Sequence, residues 1–317
     1  VSSACDPVSF QSVSASTGPP ARASAMARRW LSVNCAASNS PGAVVGLKPG
    51  VGYRVSSDFK LVKTGGIYFA NQELDVSVYL NGRLKKTSGI FERNLLVQNI
   101  KPGNYHVKMT KEGYRTWQKW IQVQEQKVEA CYPLLIAEEL NVEEVSKYLP
   151  VDEKEQKKRK TKRELNDEYI DVAELFKKAD KPSKSIFPQW NSREIAKLKL
   201  GKNRKLQGKV LLSKEGNTMY ATWTGRKEQL PFFINTMKKK RIYSPEKTIT
   251  AFDFFPNRDD SFIVRFDDGS LYAVEIDTRF GEQNSYRIVK YCDRFLVDGD
   301  MLYYYSGGRL FKSEFEI

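Results

Sequence analysis

Between Ile67 and Leu135 the chain repeats one short rhythm: alternating side chains, then a glycine turn. Val76, Val78 and Leu80 alternate with Ser77 and Tyr79, the period of a strand buried on one face. Asn81-Gly82 follows at once, and that pair supplies the two positive φ angles of a type I′ hairpin turn. Lys101-Pro102-Gly103-Asn104 predicts a type II turn, with Pro at its second position and Gly at its third. Beyond it, Tyr105, Val107 and Met109 line one strand face, and His106, Lys108 and Thr110 the other. Lys111-Glu112-Gly113 turns the chain into a strand over Tyr114–Val123, and Val128–Leu134 alternates once more. This grammar leaves room for little but a small all-β domain.

The same residues carry a resemblance. The run V-x-V-Y-L-N-G-x-L from Val76, then L-x-x-x-I-K-P-G-x-Y-x-V-K-x-x-K-x-G-Y-x-x-W from Leu96 to Trp117, resembles the PEGA domain, a short β-sandwich module of bacterial envelope proteins. The eponymous Pro-Glu-Gly-Ala is not literally present; Lys101–Asn104 holds the similar turn. The resemblance covers about a quarter of the chain. It implies binding or adhesion without chemistry of its own, in the extracytoplasmic envelope. It extends upstream, where Gly52-Tyr53-Arg54 and Lys60–Tyr68 are similar to the segment that leaves a membrane span in long PEGA proteins of uncultured bacteria. No such span is evident in Val1–Gly50. Arg28-Arg29 precedes an uncharged run, Trp30–Leu47, but Ser32, Asn34, Ser38, Asn39, Ser40 and Pro41 interrupt it, and a span needs about twenty mostly apolar residues. Val1–Gly50 therefore reads as a disordered or atypical segment, rich in Ser, Ala and Pro. Either it replaces a native anchor or the lineage has none. Membrane association stays open by resemblance, and a cytoplasmic location is the alternative.

Downstream, Asn141 is expected to cap a short helix, with Glu144 as capping-box partner and Val142, Val145 and Leu149 inward. A charged connector follows, in which Lys157, Lys158, Arg159, Lys160, Lys162 and Arg163 form a basic run flanked by Asp152, Glu153, Glu155 and Glu164. It reads as a solvated linker, or as an anion patch for nucleic acid or lipid. No aromatic residue interleaves for base stacking, so nucleic acid is the disfavoured partner. Tyr169, Val172, Ala173 and Phe176 fall on one face of an amphipathic helix over Asn166–Lys178, expected to dock on the C-terminal part of the chain. From Phe187 the β grammar returns. Hairpins are expected around Gly216, Gly269 and Gly299, and a turn at Gly307-Gly308 leads to a last strand. Their spacing of about forty residues is that of a propeller blade. About three blade-like units are legible, fewer than a closed propeller uses. Either a blade is degenerate around Phe187–Leu200 or the assembly is open.

The expected fold class is thus mainly β: a PEGA-like sandwich (51–136), a short charged helical linker (137–186) and a propeller-like domain (187–317), after an atypical segment (1–50). Composition narrows the partners. The chain has 52 basic against 38 acidic residues, a net charge of +14 and a pI near 9.4, so its surface favours anions. Cys5, Cys35, Cys131 and Cys292 are isolated from one another and from the single histidine, a pattern of buried small hydrophobes rather than metal ligands or disulfides. His106 lies mid-strand on a polar face. Asp267-Asp268 and Asp298/Asp300 flank glycines, as turn residues do. No nucleophile–base pair, phosphate loop or dinucleotide fingerprint is present in the sequence, so the expectation is a protein that is not an enzyme and needs no cofactor or metal. Trp117 and Trp120 are an odd number of positions apart and so face opposite ways on a strand. One belongs in the core; the other, with Tyr114 or Tyr132, would make a stacking platform for sugar rings. The expected partner is a protein or a cell-wall polymer. The alternative is an anionic polymer or nucleic acid held by Lys157–Arg163 and Lys238–Arg241.

Overall fold

The computed structural model describes residues 53–55, 61–70, 73–89, 94–148, 165–179 and 202–315. Val1–Gly50, with Cys5 and Cys35, the basic run Lys157–Arg163 and the stretch Phe187–Leu200 lie outside the described residues. The chain is mainly β. Strands β1 (Tyr53–Val55) and β2 (Leu61–Lys63) pair antiparallel and lead into a two-sheet sandwich. One sheet has three strands, β6 (Leu95–Ile100), β3 (Gly65–Phe69) and β9 (Val128–Cys131), in the order β6-β3-β9. The other has four, β4 (Ser77–Leu80), β5 (Arg83–Thr87), β7 (Gly103–Thr110) and β8 (Trp117–Val123), in the order β5-β4-β7-β8. Val78, Leu80, Val107, Met109, Trp117 and Ile121 from the second sheet close on Ile67, Phe69, Leu95 and Val97 from the first. The alternation read from the sequence is what divides these inward residues from the outward ones.

Asn81 (φ 49) and Gly82 (φ 76) both take positive φ, and the β4–β5 hairpin turns on them as the type I′ geometry requires. The Lys101–Asn104 turn departs from expectation. Gly103 has φ 151, more extended than a type II turn uses, because this connection carries the chain from one sheet to the other rather than closing a hairpin. Val128–Leu134 departs as well. All four residues of β9 are buried and none alternates outward, since its second face is covered by a loop of the next module.

The C-terminal part holds three four-stranded antiparallel sheets, stacked face to face like blades. The first runs β11 (Arg204–Gln207), β12 (Val210–Glu215), β13 (Thr218–Trp223), β14 (Lys240–Tyr243). The second runs β15 (Ile249–Phe254), β16 (Ser261–Phe266), β17 (Leu271–Glu275), β18 (Ser285–Val289). Val210, Leu212, Met219 and Ala221 of the first meet Phe252, Phe254, Phe262 and Val264 of the second. The second sheet's opposite face, with Ile263, Leu271 and Ala273, packs on Leu302 and Tyr304 of the third, and Leu134 and Ile136 wedge into the same cluster.

The third sheet corrects the sequence reading. Its strands β19 (Arg294–Asp298), β20 (Met301–Ser306) and β21 (Arg309–Glu314) are completed by β10 (Glu143–Val145), in the order β10-β21-β20-β19. The residues expected to form a helix after Asn141 are therefore a strand edge, with Val145 opposite Leu310. Propensity lost to a partner more than 160 positions away. The expected later helix does form, as α1 (Asp167–Ala179). Asn166 caps it, its Oδ1 accepting the Glu168 backbone N–H at 3.0 Å. Val172 and Phe176 bury against Val145, Leu310, Tyr303 and Tyr305, so the helix covers the far face of the third sheet.

Candidate functional site

Strands β8 and β9 are edge strands of the two sandwich sheets, and the opening beside them is where the next module docks. Along β8, Trp117, Lys119, Ile121 and Val123 all point inward while Gln118, Trp120 and Gln122 point out. Lys119 thus occupies a core phase and is only 1% exposed, and a buried ammonium needs a partner. The segment from Glu275 to Asn284, leaving β17, supplies it. Lys119 Nζ lies 3.2 Å from Glu275 Oε2 and 3.4 Å from Asp277 Oδ2, and donates to the Asp277 carbonyl at 2.8 Å. The Trp117 indole N–H donates to Glu275 Oε1.

Arg279 closes the other side. It grips Asp277 through Nε and Nη2, donates to the Ala130 carbonyl of β9 at 2.7 Å and lies 3.4 Å from Glu129 Oε2. Its guanidinium sits 4.4 Å from the centre of the Phe232 ring. A second arginine works alike: Arg258, chelated by Asp260 at 2.8 Å, donates to the carbonyls of Pro133 and Tyr132 at 3.1 and 3.2 Å. The exposed edge of β8 is capped by side chains in place of a neighbouring strand. Asn284 pairs with both the N–H and the carbonyl of Gln118, and Glu282 Oε2 accepts the Trp120 N–H at 3.1 Å. An edge so occupied is closed to pairing with another chain.

The electrostatics describe an ionic seal. Burial alone would depress Lys119, but the Glu275 and Asp277 carboxylates outweigh it and hold its pKa above the ordinary lysine value. Burial would raise Asp277, yet Arg279 and then Lys119 hold it below the usual carboxylate range. Glu129 stays raised, because burial exceeds the pull of Arg279. Burial pushes the Cys131 thiol up to about 12 and Cys292 to about 11. These thiols are suppressed as nucleophiles, and the charges of Lys119 and Asp277 are committed to each other.

The aromatic residues singled out by sequence part company here. Trp117 is in the seal. Tyr132 packs on Phe232 and Phe233, at 4.6 and 6.3 Å between ring centres, where the linker enters the stacked sheets. Tyr114 carries the Lys111 ammonium over its ring at 4.2 Å. Trp120 alone of the four is exposed, at 45%, with His106 beside it at 5.3 Å between rings. Of the basic cluster Lys238–Arg241, Lys239 pairs with Glu215, and Lys240 donates to the Phe233 carbonyl with its pKa lowered by burial. Asp268 is a turn residue: it binds Ser270 and the Lys247 ammonium. Asp298 and Asp300 are exposed. A groove of about 640 Å³ lies between the second and third sheets, lined in part by Lys290, Tyr291, Tyr304 and Phe311. Among the described residues no group of His, Cys, Asp and Glu is arranged to hold a metal. The ionic seal escaped the sequence reading, although one sign was present: a lysine in phase with Trp117, Ile121 and Val123.

No curated protein matches the chain. Two solved structures resemble part of it: a complex of S. cerevisiae Dbp5 with Nup159, Gle1, IP6 and ADP, and the N-terminal domain of Nup159. Each is 14% identical with a TM-score of 0.24, covering 36% of this chain and 30% of the other. The chain thus spans under a third of the length of the structures it matches. Residues 73–136, the greater part of the sandwich, match the family model of the PEGA domain.

Proposed function

We propose that this chain is a non-enzymatic binding and scaffold protein of the cell envelope, whose stacked sheets hold the PEGA sandwich in a fixed attitude toward a protein or polysaccharide ligand. The observation that carries this reading is the ionic seal. Lys119, Glu275, Asp277 and Arg279 are all nearly buried and mutually paired, which ties the sandwich to the second sheet through interactions that tolerate no slippage. The seal occupies the lateral opening of the sandwich and leaves the outward face of β5-β4-β7-β8 free. A protein whose task is presentation needs that combination of a rigid mount and an uncovered face. The PEGA match supports an envelope setting. No described helix is long and apolar enough to cross a membrane. The propeller-like stack serves as the mount and, through the groove beside Tyr291, as a second surface.

Co-sedimentation with isolated cell-envelope fragments tests the reading. The full chain is expected to pellet with the fragments at low salt and to remain bound at about 0.5 M salt, where exposed charge pairs are screened. Failure to pellet refutes it. Binding that vanishes with salt transfers the function to the alternative, charge-driven capture through Lys157–Arg163.

A further inference from the structure

Register across β5-β4-β7-β8 fixes which residues share the outward face. His106 lies opposite Trp120, Asn104 opposite Gln122, and Lys108 opposite Gln118. Tyr79 stands opposite Lys108 on one side and Leu84 on the other. Trp120 therefore sits at the centre of a patch, with Gln118 and Gln122 two positions away along its own strand. His106 is directly across, and Asn104 and Lys108 lie on the diagonals. The burial agrees: Asn104, Lys108, Gln118, Trp120 and Gln122 are all exposed.

Neighbouring positions on such a face are about 5 Å apart between strands and about 7 Å along a strand. A pyranose ring laid on the indole would thus place its equatorial substituents within reach of three carboxamides, an imidazole and an ammonium. Indole offers a large apolar body at low entropic cost, and carboxamides both donate to and accept from hydroxyl groups. The strands carry no acid to oppose an anion: none of the residues of β4, β5, β7 and β8 is acidic, while Lys108, on the outward face beside Trp120, is basic. Glu282 spends its carboxylate on the Trp120 backbone N–H.

We propose that this face binds an acidic polysaccharide, a uronic-acid ring stacking on Trp120 with its carboxylate toward Lys108 and its hydroxyls toward Gln118, Gln122 and Asn104. The inference rests on the binding function above and names the ligand class and the residues.

Titration calorimetry on the full chain tests it with three probes of matched length: an oligogalacturonate, a neutral glucan and a single-stranded oligonucleotide. The oligogalacturonate is expected to bind. Trp120→Ala should weaken that binding by about tenfold or more, on the scale of losing one stacked ring, while Trp120→Tyr, which keeps a ring, restores most of it. Lys108→Gln should weaken it by roughly threefold and flatten its salt dependence. Thermal melting of the variants should match the parent, since these side chains point to solvent. Oligogalacturonate binding that is absent, or unchanged in Trp120→Ala, overturns the proposal. So does equal affinity for the neutral glucan, which removes the role of charge, or for the oligonucleotide, which makes the face a general polyanion surface. Self-association of the chain through this face, with no sugar bound, overturns it in favour of a second copy. Pelleting with envelope fragments that survives in Trp120→Ala without uronate affinity leaves the general function standing and removes this inference alone.

Discussion

Replacing Lys119 with methionine keeps most of the side chain's volume and removes its charge, and the consequence can be worked from the geometry. At 3.2 Å from Glu275 Oε2 and an effective dielectric of about 20, one unit pair attracts by about 5 kcal/mol. Desolvating both ions offsets much of that gain. The offset does not return when one partner is deleted, because Glu275 and Asp277 remain buried with an uncompensated charge. Truncating one member of such a pair costs about 3–5 kcal/mol. Trp117, Asn284 and Arg279 still satisfy part of the two carboxylates, which places Lys119→Met near the lower end, a change of roughly 150-fold in the folding equilibrium. The loss should be localised. In urea the parent is expected to lose protection of β8–β9 and of β16–β17 in one transition, read by hydrogen exchange resolved to those peptides. The variant should lose the sandwich and the second sheet in separate transitions. A Lys119→Met/Glu275→Gln cycle should return a coupling within about 0.5–3 kcal/mol. A variant that melts as one unit, within about 0.5 kcal/mol of the parent, would refute the account of the seal.

Other consequences are as concrete. Phe176→Ala removes a buried ring that meets Tyr305 at 5.0 Å; a loss of about 3 kcal/mol is expected, with hydrogen exchange in α1 rising ahead of the sheets. A Cβ at Gly65 would crowd the Gln124 carbonyl and lie 2.9 Å from that of Lys127, whereas one at Gly216 meets nothing within 4 Å. Gly65→Ala should therefore cost about 1–3 kcal/mol through backbone displacement, and Gly216→Ala only the roughly 1 kcal/mol of its positive φ, as chemical denaturation would show. The Cys131 thiol is raised from 9.0 to about 12 in the fold, so the unfolded chain releases that proton first. The contribution of this thiol to stability is present below about pH 9 and is lost as pH rises toward 12, by up to about 1.4 kcal/mol per unit. Cys131→Ala should flatten that part of the pH–stability curve. At pH 8, Cys131 and Cys292 should resist alkylation until denaturant is added.

The sequence made the local geometry plain and the long-range partners invisible. Asn81-Gly82, and the hairpins at Gly216, Gly269 and Gly299, follow from backbone angles that few residues can adopt, so a window of a few residues suffices to find them. The amphipathic stripe of α1 was legible for the same reason. Glu143–Val145 was not. Its three residues favour a helix in isolation and become a strand because β21 offers an open edge. The seal was hidden similarly, since Lys119 meets Glu275 and Asp277 more than 150 positions away. The opposed tryptophans were legible: alternation separated Trp117 from Trp120, but only the registers of β7 and β8 show which polar residues surround the exposed one.

The origin of β10 bears on how the chain is made. Glu143–Val145 leaves the ribosome long before Leu310–Lys312, the residues it must lie against, so the third sheet waits for residues made more than 160 positions later. Until then Val145 has no partner strand, and the apolar stripe of α1 lacks Leu310 between the two. A product that stops short of Arg309 leaves β10 an unpaired edge with Val145 bare, and cellular quality control would read it as unfinished.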